Sequence, residues 1–371
     1  MKASVITLHS VCNYGTQLQA YATQEKLKEY FDEVSYIDFC RKDTVGKELI
    51  ETFSKGNSIR KIAFLPTYHK WKRIFPNFQK QYLNIKPPRI IQGEKIDASD
   101  YNADAFFSGS DQVWNTGWNN GVIPEFYLNF APDNAPKFAY SSSFGKNKLD
   151  KTEIPEVKAL LKRYGYISVR EESGLDIINN QLGLNNTIQL NDPTLAFGGT
   201  FWRKLKSEKK SNKKYILIYS LNNNPDFDKF AKRLAKKNKC KLYRFCTRYD
   251  QAIKTGAPLL IPKVEDFITY IDNAELVLTD SFHATAFSVN LNTNFLCYLP
   301  PKYSSRLSDF LKYVQLESQI ICDLNTIPEI KKVNFAKSNK ILEQGRKEYD
   351  LFLTNVMKKI NHAKALNEKR K

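Results

Sequence analysis

The sequence predicts an α/β protein built from two doubly wound lobes and a C-terminal helix. Three observations support this prediction. Strand-like and helix-like segments alternate through residues 1–205, and the alternation restarts over residues 213–330 after a stretch rich in Gly and Lys. A chain of 371 residues is also long enough for two hydrophobic cores. Residues 335–371 carry an apolar stripe at helical spacing, formed by Leu342, Tyr349, Phe352, Val356 and Ile360.

The N-terminal lobe, residues 1–205, alternates in the way that parallel sheets require. Short apolar, β-branched runs predict strands, and the longer segments between them carry apolar residues at helical spacing. We expect strands at 4–8, 34–39, 104–107, 137–141 and 166–169, and helices at 16–30, 155–164 and 171–180.

The C-terminal lobe, residues 213–330, repeats the pattern after a linker within 193–214. We expect strands at 215–220, 241–245, 276–279 and 295–298, and helices at 226–236, 264–271 and 284–289. Two such lobes closed by a C-terminal helix suggest a ligand-binding cleft between them.

An insert at residues 52–93 is basic and aromatic. The whole chain carries 57 Lys and Arg against 39 Asp and Glu, a net charge of +18, and the insert contains no acidic residue at all. Within residues 59–84 of the insert, the basic residues are interleaved with Phe64, Tyr68, Trp71, Phe75, Phe78 and Tyr82. One interpretation is a surface that docks on anionic membrane. The other is a helical pair that packs on the core and has a basic exterior.

Composition excludes several classes of protein. No apolar run is long enough for a membrane-spanning helix, and the first one is too short for a signal peptide. We therefore expect a cytoplasmic protein, which the insert would bring to the inner face of the membrane. The six cysteines are scattered without a CxxC pair, so we expect no metal. The sequence contains no nucleic-acid recognition motif, and we expect no nucleic-acid partner.

Small polar loops follow several predicted strands, at the edge where α/β sheets bind ligands. Asp111 could deprotonate a hydroxyl, and Trp114 could stack on a sugar. Asp111 could equally cap the next helix, and the loop at Gly15 could be a simple tight turn. The candidate acceptor-binding residues are Asn13, Gly15, Gln17, Ser110, Trp114 and Ser142.

The segment TDSFH at 279–283 is the most specific signal. His283 is one of four histidines and stands at a strand-to-helix junction, where it could contact a phosphate and act as a general acid or base. Arg170, at the end of a predicted strand, could hold an anion or pair with a neighbouring glutamate. Arg306 is a second candidate anion contact, or the start of a helix.

Taken together, these motifs resemble those of the polysaccharide pyruvyl transferase family. The matching segments, in order, are NYGTQLQA (13–20), GSDQVW (109–114), YSSSFG (140–145), SVRE (168–171), DPT (192–194) and TDSFH (279–283). The resemblance implies two Rossmann-like lobes of the glycosyltransferase-B kind and transfer of a pyruvyl group from phosphoenolpyruvate to a glycan that is often carried on a lipid. It implies no other cofactor. The acceptor would face the N-terminal lobe and the donor the C-terminal lobe.

The resemblance also suggests roles for individual residues. We expect His283 to be the acid near the donor phosphate, with Asp111 or Asp280 as the base. The candidate donor-binding residues are Arg170, Ser281, Phe282, His283 and Arg306. Many members of the family have arginine where this chain has Ser281. That departure leaves open a ligand-binding protein without catalysis. A separate alternative on the same fold is a sugar transferase or sugar-nucleotide enzyme of the glycosyltransferase-B type, for which the sequence has no clear Gly-rich fingerprint.

Overall fold

A computed structural model describes residues 1–208, 214–299 and 305–368 of the chain. Two parallel sheets organise the protein, and a long helix closes it. The prediction of two α/β lobes is confirmed. Residues 209–213 of the expected linker and the last three residues of the expected C-terminal helix lie outside the described ranges.

The N-terminal sheet has seven strands in the order β3-β2-β1-β4-β5-β6-β7, and each described pairing is parallel. Alternate residues of a strand face opposite sides of the sheet, so Val5 and Ile6 belong to separate cores. Its strands are β1 Lys2–Ile6, β2 Glu33–Cys40, β3 Ile85–Ile91, β4 Ala105–Ser108, β5 Lys137–Ser142, β6 Tyr166–Val169 and β7 Thr187–Gln189. β3 and β7 had no counterpart in the sequence prediction.

The helices of this lobe connect successive strands. α1 starts where the Asn13 side chain accepts hydrogen bonds from the amides of Gly15 and Thr16, which caps the helix. The helices are α1 Tyr14–Leu27, α2 Gly46–Ser54, α3 Ser58–Tyr82, α4 Thr116–Asn119, α5 Ile154–Leu161, α6 Glu172–Asp176 and α7 Gly199–Arg203. The predicted helix 171–180 is α6 followed by a π-helical turn at Ile177–Gln181.

The C-terminal sheet has five strands in the order β10-β9-β8-β11-β12, again with parallel pairings. The strands are β8 Tyr215–Tyr219, β9 Lys241–Cys246, β10 Ala257–Leu260, β11 Leu276–Thr279 and β12 Phe295–Cys297. The helices are α8 Pro225–Lys237, α9 Val264–Asp272, α10 Phe282–Leu291 and α11 Ser305–Tyr313.

A shared core joins the lobes. Tyr14 at the start of α1 packs its ring on Phe245 and Phe267 of the C-terminal lobe, and its hydroxyl donates to the carbonyl of Pro262 at 2.7 Å. The last helix, α12 Ala336–Glu368, returns to the N-terminal lobe, where Tyr349 and Phe352 pack against strand residues. These contacts fix the relative position of the two sheets.

The insert contains the last residues of α2, the single long helix α3 and the edge strand β3, so one helix stands where a helical pair was considered. Phe64, Trp71, Phe75 and Phe78 of α3 are buried in the shared core, and the indole N–H of Trp71 donates to the carbonyl of Thr247 across the lobes at 2.8 Å. The insert therefore matches the second interpretation, because these aromatic side chains serve the core. None of the described helices is long and apolar enough to cross a membrane.

Candidate functional site

The predicted site residues meet where the carboxyl ends of both sheets face each other. α1 follows β1, and α10 follows β11 on the opposite lobe. Gly15, in the first turn of α1, lies directly against the imidazole of His283: a Cβ added to Gly15 would come within 2.2 Å of His283 Cγ and Nδ1. Asp111 lies beside them, since Thr16 donates its hydroxyl to Asp111 Oδ2 at 2.7 Å. The loops that carry His283, Gly15 and Asp111 therefore come together at one place.

His283 faces a buried carboxylate. Its Nε2 lies 3.5 Å from Oδ2 of Asp192, an ion-pair distance without hydrogen-bond alignment. Burial acts to raise the pKa of Asp192, but His283 and Arg170 outweigh it and hold that pKa well below its usual range. Asp192 is therefore ionised and is placed to stabilise a proton on His283.

Arg170 is the hub of the cluster. Its Nη1 donates to Asp192 at 2.5 Å, its Nε donates to Glu171 at 3.4 Å, and its Nη2 lies 3.6 Å from Asp111. Burial acts to lower the pKa of Arg170, and the three carboxylates outweigh it and raise the pKa. Nη2 has no hydrogen-bond partner among the described residues, although it is buried. This buried donor lies 3.6 Å from the Asp111 carboxylate and would be available to a water or a ligand atom.

Asp111 is held in an unusual backbone conformation. Its φ is +72°, a left-handed value that is strained for a residue with a side chain, and Ser141 in the neighbouring loop has φ +52°. Burial acts to raise the pKa of Asp111, but the charges of Arg170, His283 and Arg306 prevail and lower it. The strained loop thus presents an ionised carboxylate to the cluster.

Arg306 completes the cluster from the C-terminal lobe. Its Nε lies 4.0 Å from Glu171, and with the Gln112 amide oxygen turned toward it, Nη2 and Nη1 donate to that oxygen at 2.7 and 3.1 Å. Burial and the charge of Arg170 lower its pKa. A cavity of about 40 Å³ lies between Arg170, Arg306 and Phe282, and the Arg170 guanidinium stacks over the Phe282 ring at 5.3 Å.

Two predicted residues at the start of α10 have structural roles. Asp280 accepts hydrogen bonds from the Ser220 hydroxyl, the Leu221 amide and both the amide and side chain of Asn222. These four donors occupy both of its oxygens and tie it to the loop after β8. Ser281 is buried and is the N-cap of α10, accepting from the Ala284 amide.

Trp114 does not form the expected sugar platform. It is fully buried, its indole N–H donates to the carbonyl of Phe126 at 3.1 Å, and its ring stacks on Tyr127. The loop after β4 turns this side chain into the core below the sheet edge. Stacking on a sugar would need an exposed ring face, which Trp114 lacks.

Three other acceptor candidates form hydrogen bonds with backbone groups of the protein. Gln17 is buried and donates to the carbonyl of His9 at 2.7 Å, while Asn13 caps α1. The hydroxyl of Ser142 donates to the carbonyls of Ser108 and Gly109. Ser110 is buried, and its hydroxyl has no partner among the described residues.

Sequence reasoning gave no role to Asp192 and Thr16, and it considered Glu171 only as a possible partner of Arg170. Asp192 and Glu171 lie within motifs that carried the family resemblance, so the signal was present in the DPT and SVRE segments. The fold brings the Asp192 carboxylate to Arg170 from 22 positions along the chain, whereas Glu171 is the immediate neighbour of Arg170 in sequence.

One further group could ligate a metal. His9, Asp38 and Cys40 are buried and offer ligand atoms within 4.8 Å of one another. The Asp38 oxygens already lie 3.1 Å from His9 Nε2 and 3.1 Å from Arg89 Nε. Burial raises the pKa of Cys40 to about 12, which keeps the thiol neutral. Pairing with His9 and Arg89 therefore accounts for the charge of Asp38 without an ion.

Comparisons with known proteins agree with the geometry. The profile of the family described as Polysaccharide pyruvyl transferase matches residues 13–300. That range spans every residue of the cluster except Arg306. A search of curated protein sequences found no match to the chain.

Solved structures with the same fold include a Listeria monocytogenes protein assigned as a UDP-N-acetylglucosamine 2-epimerase. It has 10% sequence identity and a TM-score of 0.51, over 94% of this chain and 89% of that one. The Escherichia coli heptosyltransferase WaaC has 8% identity and a TM-score of 0.39, over 93% and 99% of the two chains. At 10% identity the likeness to the Listeria protein concerns the fold alone, which is the expected glycosyltransferase-B-like fold.

Proposed function

The chain belongs to the polysaccharide pyruvyl transferase family and is a transferase, and from this premise we propose that it forms a pyruvate ketal on a glycan with phosphoenolpyruvate as donor. The observation that carries the proposal is the buried cluster at the lobe interface, in which Arg170 and Arg306 stand beside His283. We propose that the N-terminal lobe receives the acceptor and the C-terminal lobe the donor.

In the proposed reaction the donor gains one C–H bond and two C–O bonds, and it loses its double bond and its bond to phosphate. The methylene carbon of phosphoenolpyruvate takes a proton, which gives cationic character to the carbon bearing the carboxylate. Two sugar hydroxyls then bond to that carbon and lose their protons, and the bond from it to the phosphate oxygen breaks. One of the two hydroxyl protons replaces the proton given to the methylene carbon and the other leaves on the phosphate, so the products are the ketal and inorganic phosphate. The site must therefore supply one acid, a proton acceptor and cations for two anionic groups.

His283 is the proposed acid, supported by Asp192. Two guanidinium groups, Arg170 and Arg306, stand against the three carboxylates of Asp111, Glu171 and Asp192, which leaves one formal negative charge. An imidazolium at His283 balances that charge, and an anionic donor would favour it further. A positioned acid of this kind contributes about 10²–10⁴-fold in rate.

Asp111 is the proposed proton acceptor. Its lowered pKa makes it a weak base, but a hydroxyl that is bonding to a cationic carbon becomes strongly acidic, so a weak base suffices. Asp280 is a poor alternative, because four donors already occupy its oxygens.

The donor's anionic groups would lie on Arg170 Nη2 and Arg306. The Arg170 atom is buried without a partner among the described residues, and Arg306 retains 23% of its side-chain exposure. Arg306 would thereby supply the positive charge that is missing at position 281, where many family members have arginine and this chain has Ser281. The neighbouring cavity of about 40 Å³ holds little more than one water. The donor would therefore extend beyond this cavity toward the exposed part of Arg306.

Incubation with phosphoenolpyruvate and a panel of glycosides tests this function. The expected result is release of phosphate together with a pyruvyl mass gain on the sugar, both abolished or greatly reduced in His283→Ala. Near-normal turnover of His283→Ala at saturating donor would remove His283 from the mechanism. Phosphate release without a mass gain would leave a hydrolase, and no reaction with any glycoside would favour the ligand-binding alternative.

We further propose that the acceptor is carried on a lipid and that the insert contacts anionic membrane. The surface that supports this is aliphatic rather than aromatic. Ile59 and Ile62 in the first turns of α3 are 78% and 70% exposed, and Ile253, on the segment that packs against α3, is 94% exposed. Basic residues accompany them: Lys55, Arg60, Lys61, Arg248 and Lys254.

Vesicle binding tests this contact. Each buried isoleucine is worth about 1.5–3 kcal/mol and each base near an anionic surface about 1 kcal/mol. The protein should co-sediment with vesicles containing phosphatidylglycerol at low salt, and Ile59→Glu/Ile62→Glu should abolish this. Leu351→Glu, at a residue 64% exposed on α12, is the matched control and should bind normally. Equal binding of all three proteins would refute the proposed surface.

A further inference from the structure

One tryptophan on the N-terminal lobe is exposed although its surroundings are ordered. Trp118 lies on the short helix α4 and is 46% exposed, whereas Trp71, Trp114 and Trp202 are buried. α4 follows β4 at the carboxyl edge of the sheet, the edge that carries Asp111. An exposed indole gives up favourable burial, and such rings are concentrated at binding surfaces.

Arg41 fixes the indole from one side. Its guanidinium lies over the Trp118 ring at 5.1 Å. The same side chain is buried and donates to Asn119 Oδ1 at 2.9 Å, to the Trp118 carbonyl at 3.1 Å and to Asp43. Arg41 therefore covers one ring face and holds the ring in place, so the exposed area belongs to the remainder of the ring.

A chain of hydrogen bonds sets the position of Trp118 relative to Asp111. The Trp118 amide donates to Asn115 Oδ1 at 3.2 Å, the Asn115 amide donates to the Gln112 carbonyl at 3.1 Å, and the Gln112 amide donates to Asp111 Oδ1 at 2.9 Å. Gln112 also contacts Arg306. The ring is thus positioned by the same loop that presents the proposed proton acceptor.

Neighbouring loops extend this edge into a continuous rim. Ser10, after β1, lies 3.2 Å from the Thr44 hydroxyl, and Thr44 donates to the carbonyl of Arg41 at 2.8 Å. The carboxyl ends of β1, β2 and β4 are therefore connected around the ring. Trp118 therefore belongs to the same carboxyl edge, and to the same loop, as Asp111.

We propose that Trp118 is the platform on which a pyranose ring of the acceptor glycan stacks. This inference rests on the proposed function and names the acceptor subsite that Trp114 was expected to supply. The C–H face of a pyranose matches the electron-rich face of an indole, and the polar rim of Ser10, Asp43 and Thr44 suits sugar hydroxyls. Trp118 is a positioning residue for the acceptor and makes no contact with the donor.

Acrylamide quenching of tryptophan fluorescence tests the inference without turnover. Because the other three tryptophans are buried, quenching reports mainly on Trp118. The probes are methyl glycosides of galactose, glucose, mannose and N-acetylmannosamine, each raised to about 10 mM, above the usual range of KM. At least one of these glycosides should reduce acrylamide quenching of the wild-type protein to the level measured for Trp118→Phe. Phosphoenolpyruvate alone should leave the quenching unchanged.

Steady-state kinetics provide the second readout. Trp118→Ala should raise the KM for the reacting glycoside about tenfold and leave the KM for phosphoenolpyruvate unchanged. Trp118→Phe, which keeps an aromatic face, should recover most of the affinity. Ile188→Ala, at an exposed residue on β7, is the control for loss of an exposed apolar side chain and should behave as wild type.

The outcomes separate the two proposals. Protection by a glycoside without any turnover would mean that the pyruvyl transfer function fails while the platform stands. Turnover with unchanged quenching, or an unchanged KM in Trp118→Ala, would overturn the platform alone. Failure of all four glycosides to protect at about 10 mM also overturns it.

Discussion

A methyl group added to Gly15 should disable the site without unfolding the protein. Gly15 is in the first turn of α1, and its backbone is not left-handed, so alanine carries no backbone penalty there. Alanine is in fact about 1 kcal/mol better than glycine inside a helix. The obstacle is the imidazole of His283, since the new Cβ would lie 2.2 Å from Cγ and Nδ1 and 2.7 Å from Cε1.

The size of the effect follows from these distances. Ordinary contact begins near 3.4 Å, so the ring must retreat by about 1.2 Å, the difference between 3.4 and 2.2 Å. Misplacement of a catalytic group by about 1 Å costs about 10²-fold in rate. Overpacking costs about 1–3 kcal/mol of stability, partly offset by the helix preference for alanine. We therefore expect a folded protein whose kcat is about a hundredfold lower.

A double-mutant cycle gives the decisive assay. Phosphate release from phosphoenolpyruvate is measured for wild type, Gly15→Ala, His283→Ala and the double variant, together with the melting temperature of each. Because the methyl clashes with the imidazole, Gly15→Ala should have almost no further effect once His283 is replaced by alanine. The expected coupling is about 2.8 kcal/mol for a hundredfold loss.

Gly198→Ala is the matched control. A Cβ at Gly198 would meet Arg346 at 3.6 Å, an ordinary contact outside the cluster, so this variant should keep normal kcat. Equal losses from Gly15→Ala in the wild-type and His283→Ala backgrounds, or normal activity of Gly15→Ala, would refute the placement of His283 against α1.

Three further predictions concern the charges of the site. Asp280→Asn should lower the free energy of unfolding, measured by urea denaturation, by about 1–3 kcal/mol. Its kcat should change less than tenfold. A large loss of kcat at unchanged stability would instead make Asp280 the base. Asp192 has a lowered folded-state pKa, so its contribution to stability is present above its unfolded pKa of about 3.9 and is lost as pH falls through the folded value. The melting temperature of Asp192→Asn should therefore lie below that of wild type at neutral pH, and the gap should narrow below about pH 4; a constant gap would contradict the pairing with His283 and Arg170. Arg306→Lys should raise the KM for phosphoenolpyruvate about tenfold, because lysine keeps the charge but loses the planar fork; an unchanged KM would place the donor elsewhere.

Local patterns predicted most of the secondary structure. Buried strands such as β6 and β11 were predicted at the residues where they occur. In an α/β protein, a short apolar run followed by a small polar loop is typical of a buried parallel strand. β3 escaped prediction because its two prolines interrupt the pattern, and the structure places it at the sheet edge, where proline is tolerated.

The insert shows what composition alone left undecided. Aromatic and basic residues together suit both a membrane surface and a packed helix, and the linear order of residues does not say which face is covered. The structure buries the aromatic face of α3 against the C-terminal lobe and leaves Ile59 and Ile62 outside.

The sequence by itself determined the two α/β lobes, the family and the loops that carry His283, Asp111 and Arg170, because each of these depends on residues that are close together in the chain. Only the tertiary structure decided which side chains act in the cluster. It turned Trp114 into the core, tied Asp280 to another loop and brought Asp192 to His283, 91 positions apart by number. The physical reason is that burial and ion pairing depend on contacts between elements that are distant in sequence. The local backbone conformation of a loop also determines whether a side chain points into the cleft or into the core.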